Sequence, residues 1–167
     1  MNNIILIGFM GCGKSTIGIK LSYKIKRTML DTDKQIEREQ GKSITEIFAE
    51  FGETAFRAME TAYLKKLVQG TENQIISVGG GLPVQERNHV LLHELGKVIY
   101  LRATADTIYE RLKDDTTRPL LQGDNPKQKI AELMQERAAI YEKVADVIVD
   151  VDYKSFDEIL NEIVRKV

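Results

Sequence analysis

Short apolar runs alternate with stretches of helical periodicity along the whole chain. Five runs are nearly continuous in apolar residues instead of alternating with polar ones: 3–8, 28–30, 74–78, 97–101 and 146–150. Continuous runs of this kind are typical of strands that are buried on both faces of a parallel sheet. Because helical segments separate the runs, we predict an α/β fold in which a parallel sheet has helices on both sides.

Several segments carry signals for where a helix starts. Ser43–Glu46 and Ser155–Glu158 each pair a hydroxyl with a glutamate three residues later, which is the pattern of a capping box. Pro126 is suited to the first position of a helix over 127–145. The stretch 114–126 has no clear period and holds two of the three prolines, so we predict a long loop there.

Composition narrows the class of protein. A chain of 167 residues with 43% hydrophobic positions suits one domain with a real core. The formal net charge of −1 argues against a general nucleic-acid binder. The single cysteine rules out an internal disulfide and indicates a reducing cytoplasm. No apolar run approaches the ~20 residues of a membrane span, and the first residues lack the features of a signal peptide. We therefore expect a cytoplasmic monomer with no membrane or nucleic-acid partner.

A phosphate-binding motif lies close to the start of the chain. The sequence GFMGCGKST, Gly8–Thr16, fits G-x-x-x-x-G-K-[ST], follows an apolar run and opens a helical stretch. Glycines let successive N–H groups wrap a phosphate, and the helix start adds its positive end. Lys14 would reach the β- and γ-phosphates, and Ser15 would bind Mg²⁺. The alternative is a glycine-rich turn with an exposed lysine. Cys12 is most simply a small filler of the tight turn.

Two further stretches favour a kinase over a GTP-dependent switch. A switch would carry N-K-x-D and D-x-x-G, and neither occurs in the sequence. The third apolar run ends in the glycines 79–81, which can bring N–H groups close to a ligand. The second run ends in Asp31, Thr32 and Asp33. One aspartate could hold Mg²⁺ and the other could accept the proton of an acceptor hydroxyl. Alternatively, Asp33 caps a helix that starts at Lys34.

Three arginines are candidates for binding an anionic substrate. Arg137 falls within the apolar stripe of its helix, where it needs either a buried carboxylate or a bound anion. Arg57 lies at the edge of another stripe, and Glu60 at i+3 could hold its guanidinium; the alternative is an exposed pair. Arg118 lies in the long loop. It is either a lid arginine that closes over the phosphates or a solvated charge.

Taken together, these stretches resemble the shikimate kinase family over essentially the whole chain. The resemblance is carried by GFMGCGKST, LDTD, SITEIFAEFGETAFRAME, ISVGGG, RPLL and ERAAIYEKVAD, in that order. It implies ATP-dependent phosphorylation of the 3-hydroxyl of shikimate, giving shikimate 3-phosphate and ADP, in the shikimate pathway of chorismate and aromatic amino-acid biosynthesis. It also implies a three-layer P-loop kinase fold with five parallel strands in the order 2-3-1-4-5. The whole chain, 1–167, would form one domain with a substrate-binding region at about 32–62 and a lid at about 112–126.

The resemblance also implies roles for individual residues. Asp33 would contact the reacting hydroxyl, and Lys14 and Arg118 would share the catalysis. Ser15 and Asp31 would hold Mg²⁺, the latter through water. Shikimate would be bound by Asp33, Arg57, Gly79, Gly80, Gly81 and Arg137, in a pocket shaped by Phe48, Phe56 and Glu60. ATP would be bound by Gly11, Cys12, Gly13, Lys14, Ser15, Thr16, Arg111 beside adenine, and Arg118 on the phosphates. Thr116 stands where many members have lysine, and Asp152, Tyr153 and Lys154 match the adenine side only loosely.

Without the family resemblance, the residues predict a small-molecule kinase whose acceptor substrate is an anion. A gluconate kinase would need a similar clamp for a carboxylate. A regulatory nucleotide-binding protein would bind ATP without acceptor-dependent release of ADP. The paired arginines and the three glycines favour shikimate.

Overall fold

The computed structural model describes residues 3–115 and 123–167 of the chain. Each predicted apolar run holds one strand, and no strand end differs from its prediction by more than one residue. The strands are β1 (Asn3–Ile7), β2 (Met29–Asp31), β3 (Ile75–Ser77), β4 (Gly96–Arg102) and β5 (Val147–Asp150). They pair in parallel in the order β2-β3-β1-β4-β5, which confirms the predicted sheet.

Eight helices lie between and after the strands in the described part of the chain. Ser43 forms a complete capping box with Glu46. At Ser155 only half of the predicted box forms: its hydroxyl accepts from the Glu158 amide at 3.1 Å, while the Glu158 carboxylate accepts from that hydroxyl and not from the Ser155 amide. Pro126 begins its helix, as predicted. Among these helices none is both long and apolar enough to cross a membrane. The eight helices are α1 (Lys14–Ile25), α2 (Thr32–Gln40), α3 (Ile44–Phe51), α4 (Glu53–Val68), α5 (His89–Leu95), α6 (Ala105–Leu112), α7 (Pro126–Val144) and α8 (Phe156–Lys166). A 3₁₀ turn lies at Glu86–Asn88.

The core lies on both faces of the central strands. Ile5, Leu6 and Ile7 follow one another on β1 and are all 0% exposed, so side chains on both faces of this strand are covered. Strands buried in this way carry apolar residues at every position. Two-sided burial is therefore the physical reason why the apolar runs are continuous.

The strand register brings three chain segments to one edge of the sheet. Asp31 at the end of β2 pairs with Ser77 at the end of β3, and Ser77 pairs with Leu6 of β1. The segments that follow these strands therefore leave the sheet side by side. In open parallel sheets, ligands collect at this carboxyl edge.

Candidate active site

The loop between β1 and α1 depends on its glycines. Gly11 and Gly13 have φ angles of +78° and +99°, in the left-handed region that favours glycine. A Cβ atom at Gly8 would lie 2.7 Å from both Cys12 Sγ and the Leu101 carbonyl oxygen. Cys12 is itself fully buried, in agreement with a filler role. The loop can turn this tightly only with these small residues.

Lys14 turns back over this loop from the first position of α1. Its ammonium donates to the carbonyl oxygens of Gly8 at 2.7 Å and Phe9 at 3.1 Å. Lys14 is half-buried and hydrogen-bonded to its own loop, which does not fit the alternative of an exposed lysine. Arg111 reaches the same loop from α6, where its Nη1 donates to the Gly11 carbonyl at 3.0 Å.

A cleft of about 250 Å³ opens above the carboxyl edge of the sheet. It brings together the predicted phosphate-binding residues, both aspartates and two of the three glycines. The sequence did not single out Ser77, Val78 or Met10, which complete the wall. The lining consists of Met10, Gly11, Gly13, Lys14, Ser15, Thr16, Asp31, Asp33, Ser77, Val78, Gly79 and Gly80.

The two aspartates after β2 have different surroundings. Asp31 is the N-cap of α2, and its carboxylate accepts from the Lys34 amide at 3.2 Å. The alternative that Asp33 caps this helix is wrong, because the helix begins at Thr32. Asp33 lies in the first turn, and its Oδ1 is buried without a hydrogen-bond partner among the described residues.

Gly79 is packed directly against the Asp33 carboxylate. A Cβ atom at Gly79 would lie 2.7 Å from Asp33 Oδ1, so a larger residue would push the carboxylate away. Burial, and next the charge of Asp31, raise the pKa of Asp33 to about 6, although Lys14 and Arg57 act in the opposite direction. Asp33 is therefore a carboxylate that can bind a proton near neutral pH.

Arg57 and Glu60 form a buried pair on α4. Arg57 Nη1 donates to Glu60 Oε1 at 2.7 Å, with the two side chains only 13% and 0% exposed, so the alternative of an exposed pair is wrong. Burial raises the pKa of Glu60 to about 7, while the Arg57 guanidinium pulls it down. A Cβ atom at Gly81 would lie 2.5 Å from Arg57 Cζ, so this guanidinium lies against the glycine segment.

Arg137 approaches the same segment from α7. A Cβ atom at Gly80 would lie 3.5 Å from Arg137 Nη1, and the guanidinium carbon is 5.7 Å from the centre of the Phe9 ring. Within residues 3–115 and 123–167, no carboxylate forms an ion pair with Arg137. The structure therefore does not support the alternative of a buried structural salt bridge.

Phe48 and Phe56 support the Arg57 side of the site. Their rings meet edge to face, with centres 5.0 Å apart and planes at 87°. The Arg57 guanidinium carbon is 5.4 Å from the centre of the Phe56 ring. The aromatic pair lies beside the arginine and restricts where it can move.

Two side chains that the sequence did not assign to the site bind the glycines 79–81 and the residue that follows them. Tyr141 donates to the Gly80 carbonyl at 2.6 Å, and Asn88 donates to the Leu82 carbonyl at 2.9 Å. The spacing of Tyr141 from Arg137, one helical turn on the same face, was a usable signal. No pattern in the sequence points to Asn88.

Other predicted residues lie at the margins of the described site. Arg118 and Thr116, with the central part of the predicted lid at 116–122, are outside the described residues. On the predicted adenine side, the Asp152 carboxylate accepts from the Thr104 amide at 3.0 Å. Tyr153 is fully exposed. Lys154 pairs with Glu162 at 3.4 Å.

Comparison with known proteins gives one consistent family. The family model described as shikimate kinase matches residues 10–167. A curated shikimate kinase from Thermodesulfovibrio yellowstonii is 40% identical over 166 residues, which cover 99% of this chain and 95% of the relative. One from Bacillus anthracis is 41% identical over 167 residues, covering 100% of this chain and 99% of the relative.

Solved structures agree with the sequence comparison. A shikimate kinase from Acinetobacter baumannii in complex with shikimate has a TM-score of 0.91 and 34% identity, covering 99% of this chain and 92% of that one. A gluconokinase from Sinorhizobium meliloti has a TM-score of 0.53 and 15% identity, covering 96% and 88% of the two chains, so it shares only the fold. The chain has its phosphate loop and its aspartates around one cleft, with Arg57 and Arg137 against the glycines 79–81 at the cleft wall. It belongs to the shikimate kinase family.

Proposed function

We propose that this cleft is the place where the chain, as a shikimate kinase, transfers the γ-phosphoryl group of ATP to the 3-hydroxyl of shikimate. The observation that carries the assignment is the buried Asp33 carboxylate, which lies against Gly79 and feels the charges of both Lys14 and Arg57. It therefore lies close to the charges of both the phosphate-binding loop and one of the proposed acceptor arginines. Phosphoryl transfer needs such a group between donor and acceptor.

The loop and its lysine would bind the phosphates of ATP. The amides of Gly11–Thr16 would wrap the β-phosphate at the start of α1, where the helix adds positive potential. The Lys14 ammonium would exchange its two carbonyl partners for β- and γ-phosphate oxygens. The exchange is favourable because phosphate oxygens carry negative charge, whereas the two carbonyl oxygens are neutral. Arg111 would cover the adenine side.

The donor atoms beside the loop suit Mg²⁺. Ser15 and Asp31 line the same cleft, and one cap bond leaves acceptor capacity on the Asp31 carboxylate. Among the described residues no group of three or more His, Cys, Asp or Glu side chains could hold a metal by itself. Mg²⁺ commonly binds through one or two protein oxygens together with waters and phosphates, so these residues fit it. When bound there, Mg²⁺ would neutralise charge on the β- and γ-phosphates.

The arginines and the glycine segment would bind shikimate. Arg57 and Arg137 would take its carboxylate, and the amides of Gly79–Gly81 would approach it closely because these residues have no side chains. Glu60 would hold the Arg57 guanidinium in position, and Phe48 and Phe56 would shape the pocket. Asp33 would then accept the proton of the 3-hydroxyl, for which a pKa of about 6 is well suited.

Two regions would complete the enzyme. Residues at about 32–62 comprise α2, α3 and the larger part of α4, and would form the substrate-binding region. Residues at about 112–126 would form the lid, with Arg118 on the phosphates, as the family resemblance implies. Closing a lid would exclude water, which otherwise competes with the acceptor hydroxyl.

The direct test is the initial rate of ADP release with ATP and Mg²⁺, measured without an acceptor, with shikimate and with gluconate. We expect shikimate to start ADP release and gluconate to leave it at the background rate. ADP release with gluconate alone would contradict the acceptor assignment. ATP binding without release in either case would leave a nucleotide site and remove the proposed acceptor site.

A further inference from the structure

The segment after β3 is held by two buried side chains from different elements. The Gly80 carbonyl accepts from Tyr141 on α7 at 2.6 Å, and the Leu82 carbonyl accepts from Asn88 at 2.9 Å. We propose that Tyr141 and Asn88 are positioning residues for the acceptor, which fix the Gly79–Leu82 segment relative to the two arginines. This inference rests on the proposed binding of shikimate by that segment.

Tyr141 ties the segment to the helix that carries Arg137. It is 1% exposed and lies one turn after Arg137, and the Arg137 side chain is close enough to its hydroxyl to lower the pKa of the phenol. Burial has the larger effect and raises that pKa to about 12, so the hydroxyl remains a donor at any pH where the enzyme would work. The hydroxyl therefore links the Gly80 carbonyl to the helix that carries one of the acceptor arginines.

Asn88 ties the segment to the helix that carries Arg57. It is 0% exposed, and its Oδ1 accepts from the Thr61 hydroxyl at 2.7 Å. Thr61 lies one turn after Arg57 on α4, and its hydroxyl is 3.2 Å from the Arg57 carbonyl oxygen. The Asn88 side chain therefore donates its amide N–H to the segment after β3 and accepts with its amide oxygen from α4.

Both links act on the same short piece of backbone. Glycines have no side chains that could fix Gly79–Gly81 by packing. Apart from the backbone bonds of the turn itself, from the Leu82 amide to the Gly79 carbonyl and from the Val84 amide to the Gly81 carbonyl, the direction of their amides depends on these two side-chain bonds. Loss of the Tyr141 bond would leave the Gly80 carbonyl unsatisfied, whereas loss of the Asn88 bond would leave the Leu82 carbonyl with only the longer bond from the Gln85 amide at 3.3 Å. In either case the amides could move relative to Arg57 and Arg137. The phosphate loop has its own hydrogen bonds, so ATP binding would change little.

The first experiment compares Tyr141→Phe with Tyr100→Phe. Tyr100 is a matched control because it is also buried and its ring packs against Tyr141 with centres 5.1 Å apart, while it lies on β4 and takes no part in the links to the loop. We expect Tyr141→Phe to raise the KM for shikimate about 5- to 10-fold with the KM for ATP changed less than about 2-fold. Tyr100→Phe should leave both constants near the wild-type values.

The second experiment compares Asn88→Ala with Asn3→Ala. Asn3 is 1% exposed and also donates to backbone carbonyls, at 2.7 and 2.8 Å, but at the far end of the sheet. Both variants should lose stability, and only Asn88→Ala should raise the KM for shikimate, measured where each is fully folded. Hydrogen exchange at the Leu82 and Val84 amides should become faster in Asn88→Ala and Tyr141→Phe only.

Arg57→Ala, measured in the same series, separates this inference from the proposed function. If Arg57→Ala raises the KM for shikimate while Tyr141→Phe and Asn88→Ala do not, the acceptor site stands and the positioning roles are overturned. If Tyr100→Phe raises it as much as Tyr141→Phe, the effect is general packing and the inference is again overturned. If Arg57→Ala has no effect either, both proposals fall.

Discussion

The phosphate loop and the acceptor side of the cleft are built in different ways. The loop is one continuous stretch, Gly8–Thr16, and its conformation follows from local glycines and the start of α1. The acceptor side collects single residues from α2, α4, α7 and the segment after β3, far apart in the sequence. Its Glu60 is buried, its Asp33, Arg57 and Arg137 are half-buried, and the pKa values of both carboxyl groups are raised.

The difference concerns what each half depends on. A local loop keeps its shape as long as the strand before it and the helix after it form. The acceptor side requires four elements to meet with buried charges facing one another, which is costly unless the charges are paired. We therefore expect substitutions of the polar side chains in the loop to remove catalysis with little loss of stability, and substitutions on the acceptor side to change stability and substrate binding together.

The largest effect is expected at the loop, from Lys14→Met. Loss of the ammonium removes the charge that would stabilise the transferring phosphoryl group, so kcat should fall by about 10³-fold or more. Lys24→Met, which changes an exposed lysine on the same helix, is the control. The measurement is the rate of ADP release with saturating shikimate, together with thermal unfolding. A kcat within tenfold of wild type would contradict the role of Lys14.

Asp33→Asn should lower kcat by about 10²- to 10³-fold, because the amide cannot accept the hydroxyl proton. It should also stabilise the protein. The folded-state pKa of Asp33 is raised from 3.8 to about 6, so ionising Asp33 at higher pH destabilises the folded wild-type protein. The asparagine variant has no group to ionise at this position and does not lose that stability. At about pH 8 the variant should be more stable than wild type by about 1 to 3 kcal/mol. The gain should vanish below about pH 4, where both folded and unfolded carboxyls are protonated. A variant less stable than wild type at pH 8 would contradict this account.

The pH profile of the wild-type enzyme tests the same carboxylate. The kcat/KM for shikimate should fall as pH decreases through about 6, since protonated Asp33 cannot accept a second proton. Glu60, whose pKa is raised to about 7, titrates nearby, so the profile of Glu60→Gln serves as the control. The fall near pH 6 should persist in that variant. A flat profile down to pH 5 in both proteins would remove Asp33 as the proton acceptor.

Arg57→Ala should raise the KM for shikimate by about 10- to 100-fold, the loss expected for a charge-assisted contact. It should also destabilise the protein by about 3 kcal/mol, because Glu60 would remain buried without its partner. The double variant Arg57→Ala/Glu60→Gln should recover much of the stability and none of the substrate binding. Recovery of the KM in the double variant would show that Arg57 acts only through folding.

The smallest effect is expected from Arg111→Ala, at the edge of the phosphate loop. Its single exposed hydrogen bond to the Gly11 carbonyl is weak, so the KM for ATP should rise only about 3- to 10-fold. The KM for shikimate should not change, which would mark the boundary between the two halves. Arg165→Ala on α8 is the control for loss of an exposed charge. A larger change in the KM for shikimate than in the KM for ATP would contradict the assignment of Arg111 to the ATP side of the site.

The sequence predicted correctly those features of the fold that depend on interactions between residues close in the chain. Two-sided burial produces continuous apolar runs, and each of the five strands was found from them to within one residue. The motif at Gly8–Thr16 likewise predicted a strand, loop and helix because its glycines are needed for the turn itself. The family resemblance supplied the strand order, which periodicity does not contain.

Tertiary contacts decided the rest of the site. Whether Arg57 and Glu60 were an exposed pair or a buried one depended on what packs against α4, and only the structure shows that both are buried. The environment of Asp33, its contact with Gly79 and its raised pKa depend on three elements at once. Asn88 has no sequence signal, since its role comes from bonds to residues on two separate elements.

By itself, then, the sequence determined the parallel sheet, the phosphate loop and, through its family resemblance, the chemistry of the enzyme. Local backbone preferences and the burial of strand residues act within a few positions, so they leave a pattern that can be recognised. The tertiary structure decided which charges are buried, which are paired and which backbone groups they hold. Those properties arise from the register of β1, β2 and β3 and from the docking of α4 and α7, because burial and electrostatics depend on all neighbours in space.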